Sequence, residues 1–209
     1  DYKAQTADAN SGIAELAPIE APALTEDGKP HVVYIGAEYC PYCAGERWAL
    51  VTALSKFGTF EGLDTVTAGA EASSAISELP SLSFYEATFT SDQVAFTGRE
   101  TENRHGAALS KMTDAEMEMF TTYNAPPYVA GNGGGIPFVN FGGTYLQAGA
   151  SYGPQLLKGK SQNEIAEEIA TDDSELAVKV RATAGTFIKA ICDLTENQPS
   201  DVCTPFTTS

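Results

Sequence analysis

The chain of 209 residues carries 28 acidic and 12 basic side chains, a formal net charge of −16, and 43% of its residues are hydrophobic. This length and apolar content are enough for one domain with a buried core, and the sequence has no run of about 18 apolar residues that would cross a membrane. Such an acidic surface repels phosphate groups, which argues against nucleic acid and anionic lipid as partners.

The first part of the chain is predicted to be an arm followed by a strand and a helix. Residues 1–30 contain three prolines and little hydrophobic periodicity, which is typical of a linker or of an arm lying on a domain. We expect the domain itself over residues 31–209. The apolar, largely β-branched run 32–35 predicts a buried strand. A helix follows Cys43, with an apolar face that ends before Gly58.

The later elements are predicted from capping and turn signals. Thr113 and Glu116 match a capping box, as do Ser161 and Glu164. In chain order we expect strands over 64–70 and 82–90, a helix over 99–125 in an insertion at about 92–130, a hairpin over 136–146 with a Gly142-Gly143 turn, and helices that begin at Ser161 and Ser174. This alternation of strands and helices predicts an α/β domain.

The run Cys40-Pro41-Tyr42-Cys43 stands between the first strand and its helix. Free backbone N–H groups and the helix dipole stabilise a thiolate at a helix N-terminus, where cysteine pKa values fall to roughly 3.5–7.5. We therefore expect Cys40 to be a nucleophile and Cys43, inside the first turn, to be the resolving thiol. Pro41 suits a helix start because its missing N–H would be unpaired there.

Two other roles for this cysteine pair are disfavoured. Structural zinc needs four ligands, whereas the second cysteine pair has a different spacing and only His31 and His105 remain, so we expect no metal. A permanent disulfide between Cys40 and Cys43 would close too short a loop to stabilise the fold much. We expect thiol chemistry without a cofactor.

Cys192 and Cys203 flank a polar loop near the end of the chain. The favoured interpretation is a structural disulfide that fixes the C-terminal tail; a second redox pair and two free thiols are the alternatives. An even number of paired cysteines is typical of an oxidising compartment. Because the chain begins at Asp1 rather than Met, we expect a secreted or surface-anchored protein whose targeting segment is missing here.

At these residues the sequence resembles the thioredoxin superfamily. Residues 37–40 look like the run before the thioredoxin nucleophile, and Pro41-Tyr42 is the dipeptide common in glutaredoxins. The resemblance implies a thioredoxin-like fold, with a central mixed β-sheet flanked by helices. It also implies a cis bond at Pro137, with backbone groups of Ile136 available to a substrate. Without the resemblance, Pro137 reads as a strand-start or edge-strand proline.

The sequence departs from thioredoxin in two respects. Thioredoxins carry a buried aspartate six residues before the nucleophile, where this chain has Tyr34. That aspartate helps to move the proton of the resolving thiol, so Cys43 would depend on water or on an acid such as Glu38, which otherwise reads as a solvated charge. The helical insertion before the strand of Pro137 resembles periplasmic disulfide oxidases and isomerases instead.

The stretch from Val32 to Cys203 is also similar to a little-characterised family of extracytoplasmic thioredoxin-like proteins of unknown function. The run from Tyr34 to Trp48 carries this likeness. It implies a membrane-anchoring segment upstream of Asp1 and supplies no substrate.

Together these features predict an extracytoplasmic thiol–disulfide oxidoreductase acting on protein or small-molecule disulfides, with a membrane redox partner as a further expectation. Whether it oxidises, reduces or isomerises is left open by the Cys40–Cys43 motif. Two alternatives from other classes are a thioredoxin-fold binding module with an idle cysteine pair, and a metallochaperone using both cysteines and a histidine.

Overall fold

The computed structural model describes residues 16–69 and 76–206, so residues 1–15 of the predicted arm lie outside the described residues. Within them the chain forms an α/β domain with a mixed sheet. The described strands are β1 (Ala17–Pro18), β2 (Thr25–Glu26), β3 (Lys29–Gly36), β4 (Thr59–Glu61), β5 (Asp64–Ala68), β6 (Leu79–Ser83), β7 (Thr88–Thr90), β8 (Ala95–Glu100), β9 (Phe138–Phe141) and β10 (Tyr145–Ala148). The described helices are α1 (Pro41–Leu54), α2 (Asp114–Tyr123), α3 (Gln162–Thr171), α4 (Glu175–Leu194) and α5 (Ser200–Cys203), with 3₁₀ turns at Pro154–Leu157 and Thr204–Phe206.

Strand β3 lies at the centre of the sheet. It pairs in parallel with β8 and antiparallel with β9, which pairs antiparallel with β10. The short strands β1 and β2, which come from the predicted arm, pair with β10 and with the start of β3. Because β3 and β8 are parallel, the chain must cross over between them, and α1 lies in that crossover together with the two small sheets β4–β7 and β5–β6.

Both faces of the sheet are buried, which explains the continuous apolar run of β3. Val32 and Tyr34 belong to the larger core cluster, in which α1 packs against α4 and β6. Val33 and Ile35 point into the second cluster, where Phe120 of α2 contacts Phe138 edge to face. Alternate residues of β3 therefore join two cores, and its end at Gly36 starts the loop into α1.

Several predicted elements are confirmed. The strand over 32–35, the strand that starts at Asp64, the helix after Cys43 and the helices after Ser161 and Ser174 are present. The capping boxes at Thr113 and Ser161 both form. Gly142 and Gly143 turn the predicted hairpin with φ values of 62° and 76°, a region in which residues with a side chain are disfavoured.

The predicted helix over 99–125 is wrong in its first half. Residues 95–100 form β8, paired along its whole length with β3, and the helix begins only at Asp114. Phe96 packs edge to face against Phe84 and Phe60, and a Cβ on Gly98 would lie 2.4 Å from the Cβ of Phe84. These contacts with distant residues outweigh the local sequence, as is usual for strands.

The predicted strand over 82–90 is also wrong, because the chain turns in its middle. Strand β6 ends at Ser83, β7 begins at Thr88, and Glu86 between them has a φ of 60°. A left-handed residue of this kind cannot continue a strand. The two halves pair with different partners, β5 and β4.

Candidate active site

Cys40 is the N-cap residue of α1. Its backbone is extended (φ −74°, ψ 117°), and its sulfur accepts a hydrogen bond from the N–H of Cys43 at 3.3 Å. Pro41 occupies the first helical position, where no donor is needed. Both cysteines are free thiols, Cys40 5% exposed and Cys43 wholly buried. Strand β3 and the start of α1 thus place one sulfur at the helix N-terminus and the other behind it.

The two thiols differ in acidity. The hydrogen bond from the Cys43 side chain is the largest cause that lowers the pKa of Cys40 from 9.0 to about 7, with backbone hydrogen bonds and the charge of Arg47 helping. Burial and the hydrogen bond to Cys40 raise the pKa of Cys43 well above 9.0. A large fraction of Cys40 is therefore ionised near neutral pH, while Cys43 holds its proton, the asymmetry that a nucleophile and a resolving thiol require.

The loop before β9 faces Cys40. The Cys40 thiol donates a long hydrogen bond to the carbonyl of Ile136, with 3.8 Å between Sγ and O, across 96 residues of sequence. The bond between Ile136 and Pro137 is cis. Pro137 is buried and Ile136 half-buried, and the Ile136 carbonyl lies beside the Cys40 sulfur.

A buried ion pair, which the sequence analysis missed, lies beneath the cysteines. Arg47 donates two hydrogen bonds of 2.8 Å to Glu100, at the end of β8, and a third of 2.5 Å to the carbonyl of Ala37. The charge of Arg47 contributes to the lowered pKa of Cys40, and it partly opposes the burial that raises the pKa of Cys43. The spacing of four residues between Cys43 and Arg47, which puts both on one helix face, was a signal for this arginine; Glu100 had none, because a helix was predicted from residue 99.

Tyr34 also reaches the cysteine pair from β3. Its side chain is wholly buried. A Cβ added to Gly36 would lie 2.1 Å from the Tyr34 hydroxyl oxygen and 3.0 Å from the Cys43 sulfur, so these two atoms face the same small space. Gly36 leaves that space open because it has no side chain.

Glu38 and Tyr42 are close to Cys40 in sequence, Glu38 two residues before it and Tyr42 two residues after it. The Glu38 carboxylate accepts a hydrogen bond of 2.6 Å from the Ser83 hydroxyl. Tyr42 is 47% exposed, the most exposed large hydrophobic side chain in the described part of the chain. Its ring offers contact area to a molecule that approaches the sulfur.

Cys192 and Cys203 are joined by a disulfide, and both are wholly buried. The bond connects the end of α4 to α5 and so fastens the C-terminal tail to the longest described helix.

A second buried acid that the sequence analysis missed is Glu46, next to Arg47 in α1. Its carboxyl group accepts hydrogen bonds from the N–H and the hydroxyl of Ser151, at 3.0 and 2.8 Å. Burial raises its pKa to about 7, against the opposing effect of those hydrogen bonds. Glu46 therefore links α1 to the segment after β10.

The described residues contain no group of three or more His, Cys, Asp or Glu side chains placed to hold a metal ion. None of the helices described is both long and apolar enough to span a bilayer.

The fold and site define an α/β protein with a mixed sheet and a pair of free cysteines at the start of the helix that follows its central strand. A family model described as a domain of unknown function (DUF929) matches residues 16–193. The chain belongs to this family. No curated protein and no solved structure matches it.

Proposed function

We propose that this protein is a thiol–disulfide oxidoreductase of thioredoxin-like fold, with Cys40 and Cys43 as its redox centre. The observation that carries the proposal is a pair of free thiols at the start of α1, with the Cys40 sulfur at the N-cap accepting a hydrogen bond from the N–H of Cys43 at 3.3 Å. The lowered pKa of Cys40 and the raised pKa of Cys43 agree with it. The sheet order, with β3 between a parallel and an antiparallel neighbour, is compatible with that fold.

The reaction would proceed in two exchanges. The Cys40 thiolate attacks a substrate disulfide, so that a Cys40–substrate disulfide forms and one substrate thiolate leaves. Cys43 then attacks the Cys40 sulfur, the internal disulfide forms, and the second substrate thiolate leaves. The substrate gains two electrons and the cysteine pair loses two; the reverse sequence oxidises a substrate dithiol.

Ile136 and Tyr42 would position the substrate. The Ile136 carbonyl, 3.8 Å from the Cys40 sulfur, can accept a hydrogen bond from a backbone N–H next to the substrate cysteine. The exposed ring of Tyr42, two residues after Cys40, would offer the substrate an apolar contact. These two contacts could be made by the disulfide of a protein or by that of a small molecule.

The Cys192–Cys203 disulfide supports an extracytoplasmic location, because such bonds persist mainly in oxidising compartments. A redox protein in such a compartment needs a partner that restores its dithiol or its disulfide, and we propose a membrane redox partner for that step.

The proposal is tested by reduction of a protein disulfide with dithiothreitol as the electron source. Wild-type protein should accelerate the reaction and Cys40→Ser should not. Cys43→Ser should instead accumulate a mixed disulfide with the substrate, visible as a mass increase that a reductant removes. No acceleration by the wild type, together with no mixed disulfide in Cys43→Ser, would indicate an idle cysteine pair; stoichiometric copper or zinc binding by the reduced protein would then favour a metallochaperone.

A further inference from the structure

The buried hydroxyl of Tyr34 has no assigned role and makes no hydrogen bond within the described part of the chain. The ring is held in place by an edge-to-face contact with Phe84, with 5.1 Å between centroids. Buried hydroxyl groups are nearly always hydrogen-bonded, since an unpaired one destabilises the fold. An unpaired hydroxyl therefore indicates a partner that becomes available in another state of the protein.

The hydroxyl faces the sulfur of the resolving cysteine. Both atoms crowd the same point above Gly36, at 2.1 and 3.0 Å from a Cβ placed there. Burial is the largest cause that raises the pKa of Tyr34 well above 10.0, and the nearby charge of a Cys43 thiolate raises it further. Tyr34 accordingly keeps its proton at physiological pH and can only donate toward an anion.

The second exchange step creates the partner that the hydroxyl lacks. In the dithiol form, Cys43 gives its hydrogen bond to Cys40, the largest cause of the lowered pKa of Cys40. Once Cys40 is bonded to a substrate sulfur, it is no longer a thiolate, and Cys43 must itself lose a proton in a site where burial raises its pKa. The charged groups beside it are Arg47, which favours the thiolate, and Glu100, which is paired with Arg47.

We infer that the Tyr34 hydroxyl donates a hydrogen bond to the Cys43 thiolate in the mixed disulfide and so makes Tyr34 a catalytic residue of the resolving step. This inference rests on the proposed function. In that step the Cys43–Cys40 sulfur bond forms, the Cys40–substrate bond breaks, the substrate thiolate leaves with its electron pair, and the Cys43 proton goes to solvent. Tyr34 loses no proton and changes no oxidation state.

The two exchange steps can be separated with an aromatic disulfide reagent, dithiobis-nitrobenzoate, which releases one coloured thiolate at each step. Reduced full-length protein is mixed with one equivalent of the reagent in a stopped-flow spectrometer. Tyr34→Phe should release the first thiolate at the wild-type rate and the second about tenfold more slowly, since a hydrogen bond to a charged group is worth that much or more.

Tyr152→Phe is the matched control. Like Tyr34→Phe, it removes the hydroxyl of a buried tyrosine next to α1. The Tyr152 hydroxyl, however, donates a hydrogen bond to the carbonyl of Gly45 at 2.5 Å. It should lower the melting temperature and leave the ratio of the two rates unchanged. Tyr34→Phe should melt no lower than the wild type, because it removes an unpaired group.

A second measurement does not depend on turnover. In a Cys40→Ser background, the ultraviolet absorbance of the thiolate gives the pKa of Cys43, which Tyr34→Phe should raise by about one unit or more. An unchanged pKa, an unchanged second rate, or an equal slowing of both steps would overturn the role of Tyr34. If the wild type never released a second thiolate, the proposed function itself would fail, a result distinct from wild-type behaviour of the Tyr34 variant.

Discussion

Arg47 and Glu100 form an ion pair from which solvent is wholly excluded, with two hydrogen bonds of 2.8 Å between the guanidinium and the carboxylate. The pair joins the helix that carries the cysteines to the last residue of β8, the strand parallel to β3. Glu100 also accepts a hydrogen bond from the N–H of Phe84 at 3.4 Å. Strand β8, which was not predicted from the sequence, thus fixes the position of the Arg47 charge near the two thiols.

Loss of one member of the Arg47–Glu100 pair should lower the free energy of unfolding strongly. Glu100→Gln leaves the Arg47 charge buried and uncompensated, which costs about 3–5 kcal/mol, and urea unfolding should show that loss. Glu116→Gln, which removes the partly exposed partner of Arg99, is the matched control and should cost about 1 kcal/mol or less. Equal losses of unfolding free energy in the two variants would contradict the prediction that the buried pair contributes more than the partly exposed one.

The acidity of Cys40 should depend on the side chain of Cys43. Cys43→Ala removes the hydrogen bond that contributes most to the lowered pKa of Cys40, so that pKa should rise from about 7 toward 9.0. The pH dependence of alkylation by iodoacetamide measures it. Cys43→Ser keeps a donor and should produce a smaller rise; an unchanged alkylation profile for Cys43→Ala would show that the helix N-terminus alone acidifies Cys40.

Glu46 should make stability fall between mildly acidic and neutral pH. Its folded-state pKa of about 7 lies above its ordinary value of 4.5. The contribution of Glu46 to the free energy of unfolding is therefore fully present below pH 4.5. It is lost as the pH rises through about 7, where the folded protein must bury the charge of the carboxylate. The loss is on the order of 3 kcal/mol for a shift of this size.

Glu46→Gln tests that pH dependence directly, because the amide cannot ionise and still accepts a hydrogen bond from Ser151. Chemical denaturation of the wild type and the variant at pH 5 and pH 8 should show that the variant loses much less stability over this range. If stability fell equally with pH in the wild type and in Glu46→Gln, Glu46 would be excluded as the source of the pH dependence.

The disulfide between Cys192 and Cys203 should stabilise the fold without taking part in exchange. The two cysteines are 11 positions apart in the sequence, and closing a loop of this size is worth about 3 kcal/mol in the chain-entropy model. A Cys192→Ala/Cys203→Ala double variant should lose that much stability to urea. It should keep the wild-type rates of both steps with dithiobis-nitrobenzoate; a slower or incomplete reaction would favour the alternative of a second redox pair.

Local signals in the sequence were sufficient for the cysteine pair and its helix. Cys40 stands at the junction of an apolar run and a helical pattern, and the backbone N–H groups of a helix start act on the residue that occupies it whatever the rest of the fold does. The capping boxes at Thr113 and Ser161 are local in the same sense, since each joins residues three positions apart.

The surroundings of the two thiols were decided only by the tertiary structure. Glu100 lies 53 residues from Arg47, and the carbonyl of Ile136 lies 96 residues from Cys40. The predicted helix from residue 99 overlaps only the last two residues of β8, and the contacts that make residues 95–100 a strand come from β3 and from distant aromatic rings. Sequence alone therefore indicated the cysteine pair, and the fold determined the acidity of the two thiols, because burial and charge depend on neighbours that the chain brings together only when it is folded.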